Sequence, residues 1–147
     1  MGTLVAVRAL PTGAYMLGAV RRVCRLSSEN VEVGVSIFAD RVVAATLHSQ
    51  CIARDDMHFV VDGIDVSAMG ATFRGLYLPL NAKSTSPAPG TLIIATSNYD
   101  ANRRVVLATD DEMHALMLRE PIEQHGDWTW TTVELAPRLP AADSTSR

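Results

Sequence analysis

The side chains best suited to chemistry in this chain form two short clusters. The first is basic and comprises Arg21, Arg22 and Arg25, and the second, spaced D-x-S-x-x-G, comprises Asp65, Ser67 and Gly70. Guanidinium groups bind phosphate oxygens in a planar, bidentate manner, and a carboxylate accepts hydrogen bonds from N–H groups. A glycine lets a ligand approach the backbone closely. The two clusters therefore suit an anionic ligand that also carries hydrogen-bond donors.

The spacings of the two clusters, R-x-x-x-R from Arg21 to Arg25 and D-x-S-x-x-G from Asp65 to Gly70, resemble the two ligand motifs of PilZ domains. The resemblance implies a small β-barrel that binds cyclic diguanylate, a bacterial second messenger. It implies that the arginines lie at the entrance of the barrel and meet phosphate oxygens and guanine edges. It also implies that Asp65 accepts hydrogen bonds from guanine, with Ser67 and Gly70 beside it on an outer surface of the barrel.

A second similarity to the same family lies in two neighbouring segments, 18–23 and 31–38, which resemble the later strand pair of a PilZ-like barrel, "G-x-V-R-x-V … V-G-V-x-F". In the family this pair follows the D-x-S-x-x-G motif, whereas here it precedes the motif. Arg25 and Asp65 are also about forty residues apart, which is further than the family usually allows. Two alternatives follow: a receptor for cyclic diguanylate, or a divergent PilZ-like regulatory module with decayed ligand motifs that acts as a protein–protein adaptor.

Alternation of apolar and polar residues predicts an all-β chain. Val31, Val33, Val35 and Ile37 alternate with polar or small residues, a period of two that is typical of a strand. Similar patterns predict further strands at residues 3–10, 17–26, 41–47, 57–61, 72–78, 91–96, 103–109 and 128–135. Many short strands at regular spacing predict one small antiparallel β-barrel, or two in tandem. Arg21, Arg22 and Arg25 would then lie in a strand and not in a flexible segment.

The order of these elements predicts four regions. Residues 1–80 would form a PilZ-like barrel, and residues 81–90, with Pro87 and Pro89, would form a linker or long loop. Residues 91–136 would either form a second small β unit or complete the first barrel. Residues 137–147 are predicted to be a disordered tail. Residues 110–119 fit a helix and a strand equally well, because Met113, Leu116 and Met117 suit both.

Charge and composition restrict the classes of partner. The net charge of −3 argues against a dedicated nucleic-acid-binding protein. Residues 1–54 nevertheless carry a balance of +3 and residues 55–147 one of −6, so the N-terminal part suits an anionic ligand. No apolar run is long enough to cross a membrane, and no secretory signal begins the chain. We therefore expect a cytoplasmic protein with no membrane partner.

Motifs of catalysis and metal binding are missing from the sequence. His48, His58, His114 and His125 lack the spacing of metal ligands, and no nucleophile elbow, zinc-protease or phosphate-loop motif occurs. We therefore expect a binding module and not an enzyme, with no metal and no cofactor. The sequence leaves the oligomeric state open.

Two smaller features carry expectations about packing. Cys24 and Cys51 are predicted to be buried free thiols, because they show neither a C-x-x-C spacing nor a secretory context. Trp128 and Trp130, two residues apart on a predicted strand, share a face. Core packing is favoured for this pair, and an exposed pair would indicate contact with a protein or a nucleobase.

Overall fold

The architecture is all-β, as the sequence predicts. The structure is a computed structural model of the chain that describes residues 2–8, 10–11, 13–50, 60–61, 64–65, 69–79, 90–108 and 113–137. Its strands are β1 (Leu4–Arg8), β2 (Tyr15–Arg25), β3 (Val31–Ala39), β4 (Val43–Gln50), β5 (Val60–Val61), β6 (Ile64–Asp65), β7 (Met69–Leu78), β8 (Thr91–Ala95), β9 (Arg104–Ala108), β10 (Met113–Gln124) and β11 (Trp128–Leu135). The one helical element among these residues is a single 3-10 turn at Thr96–Asn98, so no described helix has the length to cross a bilayer.

The chain forms two compact units, residues 1–43 and 44–147. This division differs from the predicted boundary near residue 80. The second unit contains a closed barrel in which β4 and β7, before the predicted linker at 81–90, join strands that follow it. Residues 91–136 therefore complete a barrel that begins with β4. Residues 81–89 and the predicted tail beyond residue 137 lie outside the described residues.

The first unit is a three-stranded antiparallel sheet with β2 in the centre and β1 and β3 at its sides. Leu4 to Arg8 pair with Ala19 to Tyr15, so the second half of β2 has only β3 as a strand neighbour among the described residues. The turn between β2 and β3 is closed by the Ser27 hydroxyl, which accepts hydrogen bonds from the amides of Glu29 and Asn30. This is a local side-chain-to-backbone turn motif typical of serine. Residues 26–30 thus connect the paired residues Arg25 and Val31.

The two faces of this sheet differ sharply in polarity. Residues directly opposite each other in an antiparallel pair share a face, and successive residues alternate. The register pairs Val20 with Val35 and Val23 with Val33. One face therefore carries a patch of aliphatic side chains, here called the valine face: Val20, Val23, Val31, Val33, Val35 and Ile37. The other face carries Arg22, Cys24 and Glu32, beside the buried Leu17 and Ala19.

The barrel of the second unit encloses the hydrophobic core. Its strands follow the closed order β10-β11-β8-β7-β4-β9. Alternate residues of five strands form one buried cluster, against which Phe73 and Tyr77 of β7 pack: Ala45, Leu47, Leu92, Ile94, Val105, Leu107, Leu116, Leu118 and Val133. Closure leaves no barrel strand at an edge, which removes unpaired backbone groups. Ser49, Thr129 and Thr131 are buried polar residues of the same barrel.

One glycine lies where the backbone of a barrel strand contacts the core side chains. A Cβ added at Gly75 of β7 would lie 2.8 Å from Leu47 Cδ1 and 2.9 Å from Ile94 Cγ2. Both distances are shorter than any real Cβ contact, so the two core side chains occupy the space that a larger residue would need. Gly75 therefore sets how closely β7 approaches the core.

Residues 113–119 resolve the alternative that the sequence left open, because they belong to strand β10. Met113 to Met117 pair with Ala108 to Arg104 of β9. The register against β11 shifts on both sides of Pro121, which has no N–H group to give to the ladder. The Thr131 hydroxyl donates a hydrogen bond to the Arg119 carbonyl at 2.7 Å and contacts that of Glu120 at 3.2 Å. Tertiary pairing here outweighs the helical spacing of the methionines and leucine.

Candidate functional site

The predicted arginine cluster lies at the half of β2 that has β3 as its only described neighbour. A bulge between Val20 and Arg22 makes Arg21 an extra residue in the strand. Because of this bulge, Arg22 shares a face with Gly34, whereas Arg25 shares the valine face with Val31. The three guanidinium groups therefore do not converge from one face of a regular strand.

Arg22 forms an ion pair with a residue of the neighbouring strand. Its Nη2 donates to Oε1 of Glu32, which lies one cross-strand pair further along the same face. The Arg22 side chain is 62% exposed and that of Glu32 47% exposed. An exposed pair of this kind is only weakly stabilising, at about 0–1 kcal/mol. A ligand phosphate at Arg22 would compete with the Glu32 carboxylate for the same guanidinium.

Arg25 contacts the turn that follows it. Its Nε donates to the Ser27 carbonyl at 3.1 Å, and its Nη2 donates to the Ser28 carbonyl at 3.3 Å. The guanidinium therefore caps the backbone of the β2–β3 turn. Its remaining donors stay exposed, since Arg25 itself is an exposed residue.

Arg21 stacks on an aromatic ring. Its guanidinium carbon lies 5.6 Å from the centre of the Phe38 ring, within cation–π range. Phe38 falls at a second register shift, between Ile37 and Ala39 of β3. The two bulges of this hairpin thus bring their extra residues together, and the pair joins the two strands where the regular ladder is interrupted.

The acid–serine–glycine motif lies in the other compact unit. Asp65 ends β6, where its backbone pairs with Val60, and Gly70 is an exposed residue near the start of β7. The Asp65 side chain and residues 66–68, including Ser67, lie outside the described residues. The two predicted motifs thus fall in separate units, residues 1–43 and 44–147.

The feature that sequence reasoning missed is the exposure of the valine face. Val31 is 58% exposed, Val23 51% and Val33 49%, although all three lie in a regular ladder. Leu26, in the adjoining turn, is 67% exposed. Alternation at residues 31–37 predicted a strand with an apolar face, and such faces usually pack against a core. One sequence signal indicated exposure. Arg25 lies on the same face, and strand faces that pack against a core rarely carry an arginine.

Several polar groups of the barrel lie around Tyr99. Its hydroxyl donates to the Arg119 carbonyl at 2.9 Å, the same oxygen that Thr131 contacts. Burial raises the pKa of Tyr99 above its ordinary value of 10.0, and the nearby charge of Glu120 raises it further. The hydrogen bond with Thr131 lowers this pKa by less, and the charge of Asp100 adds the smallest rise. Burial also raises the pKa of Tyr77. Both phenols therefore stay protonated at neutral pH, and that of Tyr99 acts as a structural donor.

The described histidines lie in separate places. His125 Nε2 is 2.5 Å from Glu123 Oε1, and its ring centre lies 4.3 Å from that of Trp128. His48 Nδ1 lies 3.0 Å from the Thr72 hydroxyl. Within the described ranges, no three residues among His, Cys, Asp and Glu come together as metal ligands would. Trp128 is buried, and Cys24 is a free, half-buried thiol.

Comparison with known proteins adds no relative: no protein-family model, curated protein or solved structure matches this chain.

Proposed function

We propose that this protein is a PilZ-like regulatory module, not an enzyme, that works by binding another protein through its valine face. The observation that carries this proposal is the half-exposure of Val23, Val31 and Val33 on two adjacent strands. Single exposed apolar residues are common on any surface, but a contiguous apolar patch marks an interaction site. A protein partner would remove these side chains from water.

The local partners of the arginines also favour a protein ligand over a nucleotide. A phosphate at Arg22 would compete with Glu32, and a phosphate at Arg25 would compete with two turn carbonyls. Each replacement exchanges one favourable contact for another, which lowers the net gain from phosphate binding. Burial of the aliphatic side chains of Val23 and Val33 displaces no ion pair or hydrogen bond of their own.

Site-specific photo-crosslinking tests this function. A photoreactive residue at position 23 lies on the valine face, and one at position 32 lies on the opposite face of the same hairpin as a matched control. We expect a partner that cross-links to position 23 and not to position 32. Val23→Lys should weaken the binding of that purified partner at least about tenfold, because it places a charge in an apolar contact.

The outcome that contradicts the proposal is a partner whose affinity ignores Val23→Lys, or adducts confined to position 32. Circular dichroism of Val23→Lys must match that of the wild type. The position is half exposed, so the substitution should leave the sheet intact.

A second candidate function is the binding of cyclic diguanylate, which the exposure of the Arg22 guanidinium supports. In calorimetric titration, Arg22→Ala and Arg25→Ala should each weaken binding roughly ten- to a hundredfold, because arginine–phosphate pairs are charge-assisted. Asp65→Ala should weaken it through lost acceptance of guanine N–H groups. Arg8→Ala, which removes an exposed arginine of β1, is the matched control and should have little effect. Absence of binding at high micromolar ligand would remove this candidate.

A further inference from the structure

The outer edge of β3 has the features of an unprotected pairing edge. Among the residues that the structure describes, β3 has β2 as its only strand neighbour. It is nine residues long, Val31–Ala39, which is more than a typical strand. Soluble proteins usually blunt such an edge with lysine, proline, a β-bulge or a very short strand. The bulge of β3, at Phe38, lies near its end and leaves Val31 to Ile37 regular. The segment contains neither lysine nor proline, and its one charge, Glu32, is held by Arg22.

The sequence of β3 is complementary to itself. If two copies of the strand pair antiparallel about a two-fold axis that lies between them beside Gly34, odd-numbered residues of the regular stretch Val31 to Ile37 stand opposite odd-numbered residues of the other copy. Val31 then meets Ile37, and Val33 meets Val35. Each Glu32 then stands opposite Ser36 of the other copy, so no like charges oppose each other.

We propose that β3 pairs antiparallel with β3 of a second copy of this chain, which joins the two three-stranded sheets into one sheet of six strands. Both valine faces then lie on the same side of the joined sheet and form one continuous surface. The pairing satisfies the outward backbone groups of β3 and covers the outer flanks of Val33 and Ile37. It involves the edge of the sheet, so it does not rest on the protein partner proposed above.

Sedimentation equilibrium of the full chain, over a range of protein concentrations, tests the pairing. We expect a reversible monomer–dimer equilibrium. Val33→Lys should raise the dimer dissociation constant at least about tenfold, because each lysine enters an apolar cross-strand contact. Val23→Lys is the matched control: it carries the same charge on the same face with nearly the same exposure, but on the central strand β2. It should leave the dimer unchanged.

Hydrogen exchange of the wild-type chain at low and high protein concentration provides a measurement without any variant. Peptides covering β3 should exchange more slowly at high concentration, and peptides covering β8 and β9 should not change. A monomer at the highest soluble concentration would overturn the proposal, as would a dimer that Val33→Lys leaves intact. Equal loss of the dimer in Val23→Lys and Val33→Lys would also overturn it, since the copies would then pack through the face and not the edge.

Discussion

The barrel and the N-terminal sheet use similar aliphatic strands and reach opposite states of burial. Leu47 and Val105 in the barrel are fully buried, whereas Val23 and Val33 in the sheet remain about half exposed. The compositions do not explain the contrast, since both units are rich in valine, leucine and isoleucine. Closure explains it: six strands that return on themselves give every inward side chain a neighbour on all sides.

This contrast shows that β-strand patterning alone does not decide whether an apolar face becomes core. The barrel strands are connected in a ring, while the sheet has β1 and β3 at its two sides. An apolar face in an open three-stranded sheet depends on something else to cover it. We therefore expect substitutions in the barrel to change stability, and substitutions on the valine face to change association.

The largest expected effect separates these two roles directly. Leu47→Ala should lower the free energy of unfolding by about 2–5 kcal/mol, because it leaves a cavity in a closed core. Val33→Ala should lower it by less than about 1 kcal/mol, because the side chain is already half in water. Both tryptophans lie in the barrel, so urea denaturation followed by tryptophan fluorescence measures the loss in Leu47→Ala. Circular dichroism, to which the strands of both units contribute, measures the loss in Val33→Ala. Similar losses for the two variants would contradict the comparison.

The second prediction uses glycines of the two units. Gly75→Ala should cost about 1–3 kcal/mol, because its Cβ would fall 2.8 Å from Leu47 and the core would be overpacked. Gly34→Ala in β3 should be close to neutral, since its Cβ would meet Arg22 Cβ at an ordinary 3.4 Å. Urea denaturation of both variants measures the difference. A Gly75→Ala variant as stable as the wild type would show that β7 or the side chains of Leu47 and Ile94 shift to accommodate the methyl group.

The third prediction concerns Tyr99 and pH. Tyr99→Phe removes the hydrogen bond to the Arg119 carbonyl and should cost about 0.5–1.5 kcal/mol near neutral pH. The folded protein holds the phenol proton more tightly than the unfolded chain, because burial raises the pKa of Tyr99. Its contribution is therefore complete below about pH 10 and is lost as the pH rises through the folded pKa.

Urea denaturation between about pH 8 and pH 11 checks this sign. The stability of the wild type should decline at the alkaline end, and Tyr99→Phe should decline less steeply. Tyr15→Phe, at an exposed position of the sheet, is the matched control for loss of a hydroxyl. A steeper decline in Tyr99→Phe would show that the phenol does not resist ionisation in the folded state.

The smallest expected effect lies on the polar face of the sheet. Glu32→Gln should change stability by no more than about 1 kcal/mol, because the ion pair with Arg22 is exposed. The difference from the wild type should shrink further as salt is added. If cyclic diguanylate binds at Arg22, the same variant should tighten that binding, since it removes the competing carboxylate. Calorimetry in low and high salt would measure both effects.

Local patterns were enough to predict most strands. Alternation at Val31 to Ile37 predicted β3, and the structure confirms this strand. Local spacing could not decide residues 113–119, because Met113, Leu116 and Met117 suit either element. Their pairing with β9 decided it. Barrel closure was beyond local reasoning too, because it depends on contacts between residues as distant as Ser49 and Val105.

Prediction of the candidate site was limited for a different reason. The sequence predicted that the arginines lie on a strand. Their orientations depend on a bulge at Arg21, which no glycine or proline beside it indicates. The ion pair between Arg22 and Glu32 follows from the cross-strand register, which sequence spacing does not give. Ligand binding by Arg21, Arg22, Arg25, Asp65, Ser67 and Gly70 stays a prediction.

The strands of the hairpin pair residues close in sequence, whereas the barrel pairs residues far apart in sequence. This difference affects the order of folding. The β2–β3 hairpin closes between Arg25 and Val31, and such hairpins form in about 1–10 μs. The barrel must bring Ser49 to Val105, and all-β domains with such non-local pairings fold over about milliseconds to seconds. During refolding the apolar surface of the hairpin should therefore exist well before the barrel closes. Exposed hairpins of different chains could then associate during refolding. The yield of folded protein should therefore fall as protein concentration rises, and the loss should begin before tryptophan fluorescence changes.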